Sequence, residues 1–335
     1  MTDQREDESP IEPGVAAEAP SVVSGEDKLE AASESLIEPL IEPAPPGIRR
    51  GVAPLWHTGL LIALIVGVSA LGANRQQRLI SKVPLLYHYA ATAVLELIIV
   101  GWVFLGLWLG KTRLRSIFGK FPTGLRGIGR EIGVAAIFWI FAMCVLGSVA
   151  VTWTIAENKI YQVQVNQDEQ QALAEPGAPA DNPPSGSRGR TPQKKPPAKY
   201  RESPQDKQLA VSRLLMTMAP ATLVEGIAWG LLCALVGFSE EFIFRGYLMA
   251  QGISLLRNVP VGVLFSALVF GAAHGYEGLR GMVVIGVYGA LFSGIALLRR
   301  NLFPGMIAHA WHDFATGMML AFIRNTHLLD NLPKH

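Results

Sequence analysis

Between Pro54 and Ile323 the sequence returns repeatedly to apolar runs of bilayer-spanning length, and that repetition constrains the fold more than any other feature. "PLWHTGLLIALIVGVSALGA" ends just before Asn74, a second run extends from about Tyr87 to Gly110, and a third from about Ile132 to Ile155. A bilayer core asks for ~20 predominantly apolar residues of helix, and each of these runs approaches that length. After a polar interval the pattern resumes. Residues Gln208 to about Leu256 read as one or two helices, with Pro220 as a break or kink. Val261–His274, Met282–Leu298 and Leu302–Ile323 follow. The expectation is an all-α polytopic membrane bundle of about seven transmembrane helices, with six to eight admissible. The 261–274 run is short, so that helix is expected to be tilted, half-embedded or shielded by neighbours.

The intervals have a different composition. Residues 1–53 form an acidic tail rich in Glu, Pro, Ser and Ala, with too little apolar surface to offset the entropy of ordering, and are expected to be disordered. The basic n-region of a secretory signal is missing from it. Residues 54–155 hold the first three spans. Residues 156–207, with "EPGAPADNPPSGSRGRTPQKKPPAKY", read as a disordered Pro/Gly/Lys-rich insertion, a solvated linker in preference to a binding tail. Residues 208–325 carry the remaining spans and 326–335 a short tail.

Only 17% of the residues are charged, against roughly 25% in soluble domains. Residues 1–45 hold 12 of the 27 Asp and Glu but 2 of the 29 Lys and Arg, leaving 15 acidic and 27 basic residues, a net +12, for the rest. A basic membrane-like region points to anionic lipid headgroups, and no nucleic-acid-binding signature is present. Lys111, Arg113, Arg115, Lys120, Arg126 and Arg130 crowd the loop between the second and third runs. The positive-inside rule puts that loop, and by counting the N-terminus, on the cytoplasmic side of a cell (inner) membrane. Arg257 and Arg299/Arg300 then fall on the same side, whereas the basic insertion lands outside. Cys144 and Cys233 both lie in apolar runs, as small hydrophobes and not as a disulfide framework.

Against this background "GFSEEFIFRGYLMAQG", Gly237–Gly252, is costly. One ionisable side chain at mid-bilayer costs ~2.5–3.5 kcal/mol on insertion scales. Glu241 and Arg245 are four apart with the acid first, a spacing that lets them form a structural ion pair. Glu240 is turned about 100° away and needs another partner. His274 lies at the end of the next run with Phe270 one turn earlier, and in "MIAHAWHDF" His309 and Asp313 share one helical face, with His312 close to it. Singly, His274 reads more readily as a satisfied polar residue, the His309/Asp313 pair as a local hydrogen bond, and Glu96, His57 and His88 as interfacial or structural. Converging from separate helices, Glu, His, His and Asp supply a base for water and donors for an oxyanion.

Glu-Glu-x-x-x-Arg, then Phe-x-x-x-His, then His-x-x-x-Asp on successive membrane helices resembles the signature of the CPBP intramembrane proteases, the family of the CAAX prenyl endopeptidases and the bacterial Abi proteins. "FRGYL" and "LFPGMIAHAWHDF" add to the resemblance, which covers about residues 208–325. Asp313 stands where the eukaryotic prenyl endopeptidases have Asn. The resemblance implies an endopeptidase acting on a membrane protein or peptide, prenylated or not. It implies that Glu240 activates water with help from His274, that His309 and Asp313 polarise the scissile carbonyl, and that Glu241, Arg245 and Phe270 support them. Glu240, His274 and His309 are of residue types that admit zinc but do not require it, since His-Glu-x-x-His is absent. Two alternatives stand beside it: a rhomboid-like serine protease built on Gly237-x-Ser239, and a non-catalytic scaffold or bacteriocin-immunity-type protein that retains the motif.

Overall fold

A computed structural model describes residues 51–80, 83–174 and 203–326. Among these the chain is helical, without a strand. The helices are α1 (Leu55–Ile80), α2 (Leu85–Leu109), the short α3 (Leu114–Phe118), α4 (Gly124–Ala174) and α5 (Pro204–Met216). Then α6 (Leu223–Glu240) runs without interruption through a π-helical segment (Glu241–Leu248) into α7 (Met249–Leu256). After it come α8 (Val259–Ala273), a 3-10 turn (Gly275–Glu277), α9 (Gly278–Arg299) and α10 (Phe303–Asn325).

The polytopic helical bundle expected from the apolar runs is what forms. Four stretches among the described residues are long and apolar enough to cross a membrane: Leu85–Leu109, Gly124–Asp168, Leu223–Leu256 and Gly275–Arg299. Leu55–Leu71 and Val259–Ala273 are apolar but shorter. The 23-residue α10 has the length, but His309, His312 and Asp313 dilute its apolarity. Large apolar side chains such as Ile98, Ile137, Phe141, Leu231 and Leu268 point outward, as a bundle with lipid for solvent requires. The chain is an integral membrane protein by these features. The Leu223–Leu256 stretch, with the two glutamates, is the most enclosed of the four.

Three boundaries differ from expectation. Residues 156–174 are helical, not part of a disordered insertion. Glu, Gln, Lys, Ala and Leu dominate there and are good helix formers, and the breakers begin only at Pro176. Residues 204–207 open α5, started by a Ser203/Asp206 capping box with Pro204 at its first turn. Residues 51–53 are packed, not disordered: Val52 and Ala53 are buried, and the Gln251 side chain bonds Ala53 N at 3.1 Å and Ala53 O at 2.9 Å. Residues 1–50, 175–202 and 327–335 lie outside the described residues. Helix is interrupted around Pro220 as expected, and Arg324 of α10 donates there to the carbonyls of Met216, Ala219 and Pro220.

Helix packing brings the site together. α10 packs on α6 and on α4, α9 on α8, and α2 on α6. At one end the loop after α3 meets the loop before α10: Leu302 N donates to Phe118 O, and Gly119 pairs with Asn301. Glu131, buried in α4, accepts from Arg299 at 2.6 Å in the same region. The basic 111–130 segment and Arg299/Arg300 thus share one end of the bundle.

Candidate active site

Glu240 closes the regular turns of α6, and Glu241 opens the π-helical segment. π-helical turns are rare and recur at functional sites because the extra residue redirects side chains. Here Met249 N bonds Phe244 O, five residues back, and Ser266 Oγ of α8 donates to that same carbonyl at 2.6 Å. Every residue from Glu241 to Leu248 is buried.

The helix redirects Glu240 and Glu241 to opposite sides of one imidazole. His309 Nδ1 lies 3.0 Å from Glu241 Oε1, and its Nε2 lies 3.3 Å from Glu240 Oε2 and 3.8 Å from Asp313 Oδ2. A carboxylate only accepts, so the Nδ1 hydrogen is donated to Glu241. A proton shared between Nε2 and Glu240 makes the 3.3 Å approach favourable. Close helix contact makes this possible. A Cβ at Gly237 would sit 2.8 Å from Ala310 N and 2.9 Å from Met306 O, and one at Gly305 would sit 2.9 Å from Glu241 Oε2.

Glu241 also meets Arg245, whose Nη1 is 2.9 Å from Glu241 Oε1, and both side chains are fully buried. This is the ion pair expected from the i, i+4 spacing, with His309 added as a second partner of the same oxygen. The contact is close but not aligned as a hydrogen bond, and the guanidinium nitrogens find no hydrogen-bond acceptor among the described residues. The cation lies instead over aromatic faces, 4.2 Å from the Phe270 centroid and 5.3 Å from that of Phe292.

His274 caps the C-terminus of α8. Its Nδ1 lies 3.0 Å from Phe270 O, and since a carbonyl can only accept, Nδ1 carries the hydrogen and a neutral ring leaves Nε2 as its basic nitrogen. No hydrogen bond or ion pair joins His274 to Glu240 among the described residues; Phe270 lies 5.0 Å from the His274 ring and 6.1 Å from the His309 ring. Phe270 therefore supports Arg245, His274 and His309 together.

Glu240 and Glu241 differ in access. The Glu240 side chain is 16% accessible and that of Asp313 26%, while Glu241 and Arg245 are at 0%. Glu240 is partly accessible from outside the bundle; Glu241 is not.

Residues 222–315 match the family described as type II CAAX prenyl endopeptidase, Rce1-like. The match falls within the segment whose motifs resemble the CPBP/CAAX proteases, and it bears out that resemblance. It runs from the N-cap of α6 to just past Asp313, so it takes in every motif residue and excludes the first three long helices. No curated protein and no solved structure matches.

The other polar residues sort by contact. His57 is structural: it is buried, its Nε2 donates to Trp102 O at 2.9 Å, and Tyr247 OH donates to its Nδ1 at 3.0 Å. Glu96 is structural too. It sits in mid-α2 and accepts the Ser239 hydroxyl at 2.6 Å, one residue from Glu240. The signal that marks it is its being a lone ionisable residue inside an apolar span. The Ser239 hydroxyl is thus aimed at a carboxylate and, at 3.2 Å, at Val236 O, not at a histidine, which is no arrangement for a serine nucleophile. For a metal the donor set does not fit as placed. Both His309 nitrogens face carboxylates, and no group of three His, Cys, Asp or Glu is arranged for a metal ion among the described residues.

Proposed function

We propose that this protein is an intramembrane endopeptidase of the CAAX-protease type, cutting a membrane-associated protein or peptide, prenylated substrates included, with water activated by Glu240. The observation that carries this reading is the unequal access of adjacent carboxylates. Glu241 is sealed against Arg245 and His309, whereas Glu240 stays partly accessible beside the same imidazole.

In the reaction, Glu240 takes a proton from water as the water oxygen attacks the scissile carbonyl carbon. The carbonyl π pair moves onto oxygen, which becomes the oxyanion. The His309 Nε2–H donates to it; that nitrogen is held loosely, at 3.3 and 3.8 Å, while Nδ1 is anchored at 3.0 Å, and loose contacts at rest tighten in the reacting complex. Asp313 orients the imidazole. The C–N bond then breaks and the amine leaves with the proton held by Glu240. His274, with Nε2 basic, assists proton movement on the water side. No step is routed through a metal.

The basic segment 111–130 and Arg299/Arg300, together at one end, support a cytoplasmic location for that end and, by counting spans, for the N-terminus. The test is incubation of the purified protein with a membrane-derived peptide library that includes farnesylated CAAX peptides, with and without chelator. Discrete products insensitive to chelator are expected; no cleavage of any peptide, or cleavage abolished by chelator, contradicts the proposal.

A further inference from the structure

One buried hydroxyl at the site has no bonding role in the resting structure. Tyr288 of α9 is 4% exposed, and its OH finds no hydrogen-bond partner among the described residues. A buried polar group left unpaired costs stability, and native interiors contain few. Its surroundings are not those of an accidental orphan. The ring stands perpendicular to His309, with centroids 5.7 Å apart, lies 4.9 Å from the His312 ring, and packs on Phe292 at 4.3 Å. The phenol is within electrostatic reach of Asp313, Glu241, Arg245 and Glu240. The residue belongs to none of the sequence motifs.

Tetrahedral oxyanions are held by preorganised donors aimed at the charge that develops, and such sites commonly use more than one. His309 has a single hydrogen to offer, at Nε2, because Nδ1 is committed to Glu241. Arg245 is sealed behind Phe270 and Phe292 and turned to Glu241. Two buried donors at the site lack an acceptor, and with Arg245 held against Glu241 under the two rings, the phenol is the one that stands beside His309.

We propose that Tyr288 is a catalytic residue of this site, its O–H donating a hydrogen bond to the scissile carbonyl oxygen as that oxygen becomes the oxyanion, beside His309 Nε2–H. The phenol proton stays on Tyr288 throughout, and no bond to it is made or broken. This rests on the hydrolytic reading above.

Tyr288→Phe removes one oxygen atom and little packing volume. On the fastest-cut peptide of a membrane-derived library, kcat should fall by about 10²–10³-fold, as when one oxyanion donor is lost. KM should stay within about threefold, because the contact forms in the transition state. The thermal midpoint in detergent should hold or rise, since the deleted hydroxyl satisfies nothing in the resting protein. A peptide phosphinate of the same sequence, which carries a tetrahedral oxyanion, should lose affinity in parallel with kcat/KM. A Tyr288→Phe protein with wild-type kcat overturns the assignment, as does one whose kcat and thermal midpoint fall together. Glu240→Gln run alongside separates the two levels. Active wild type, inactive Glu240→Gln and fully active Tyr288→Phe sink this inference alone. Wild type as inactive as Glu240→Gln removes the hydrolytic reading and this assignment with it.

Discussion

His309 Nδ1 and Glu241 Oε1, 3.0 Å apart, join the last helix to the start of the π-helical segment and fix which way the imidazole faces. With Nδ1 anchored, Nε2 has to look toward Glu240 and Asp313. The fully buried glutamate thus orients the histidine that stands beside the partly accessible one.

Glu241→Gln leaves the Arg245 guanidinium buried with no counter-charge. Breaking one side of a buried pair costs about 3–5 kcal/mol, so thermal unfolding in detergent should begin far below that of wild type. Glu241→Gln with Arg245→Met, which removes both charges at similar volume, should recover much of the loss. A Glu241→Gln protein as stable as wild type would show that the pair is not what holds this segment.

Close approach of α10 to the π-helical segment depends on Gly305. A Cβ there meets Glu241 Oε2 at 2.9 Å, and overpacking of this kind costs about 1–3 kcal/mol. Gly305→Ala should lower both the thermal midpoint and the hydrolysis rate, because a displaced Glu241 releases His309. Gly294→Ala on α9, where a Cβ meets nothing within 4 Å, is the control and should change neither. Equal effects from the two substitutions would contradict this placement.

Ser239 ties two helices together. Its hydroxyl goes to Glu96 of α2 at 2.6 Å. Ser239→Ala forfeits one hydrogen bond, worth about 1.5–3 kcal/mol when one partner is charged. Peptide hydrolysis, measured under conditions where the protein remains folded, should stay within about tenfold of wild type. Abolished hydrolysis in a folded Ser239→Ala protein would favour the serine-protease reading instead.

Much of this arrangement was legible in the residues because the relevant periods are local. The apolar runs foretold the bundle, and the four-residue spacing of Glu241 and Arg245 foretold their ion pair, which survives although the helix there is π. Glu240 needing a partner from another helix followed from the same geometry, and His309 is that partner. The rest depends on tertiary contact. A π turn has no sequence period of its own, and here Ser266, from the next helix, receives the redirected Phe244 carbonyl. The cover that Phe270 and Phe292 give Arg245 comes from other helices, and the unpaired Tyr288 hydroxyl shows only once α9 lies against α10. The helix through 156–174 is polar and runs directly into a Pro-rich stretch, so composition alone does not separate the two.

The central claim is that Glu240 activates the attacking water, and the rate of peptide hydrolysis by Glu240→Gln beside wild type tests it most directly. Glutamine keeps the size and loses the base, so the rate should fall by about 10²–10⁴-fold, the usual worth of a general base, with an unchanged thermal midpoint. A folded Glu240→Gln protein that hydrolyses the same peptides at the wild-type rate would contradict it.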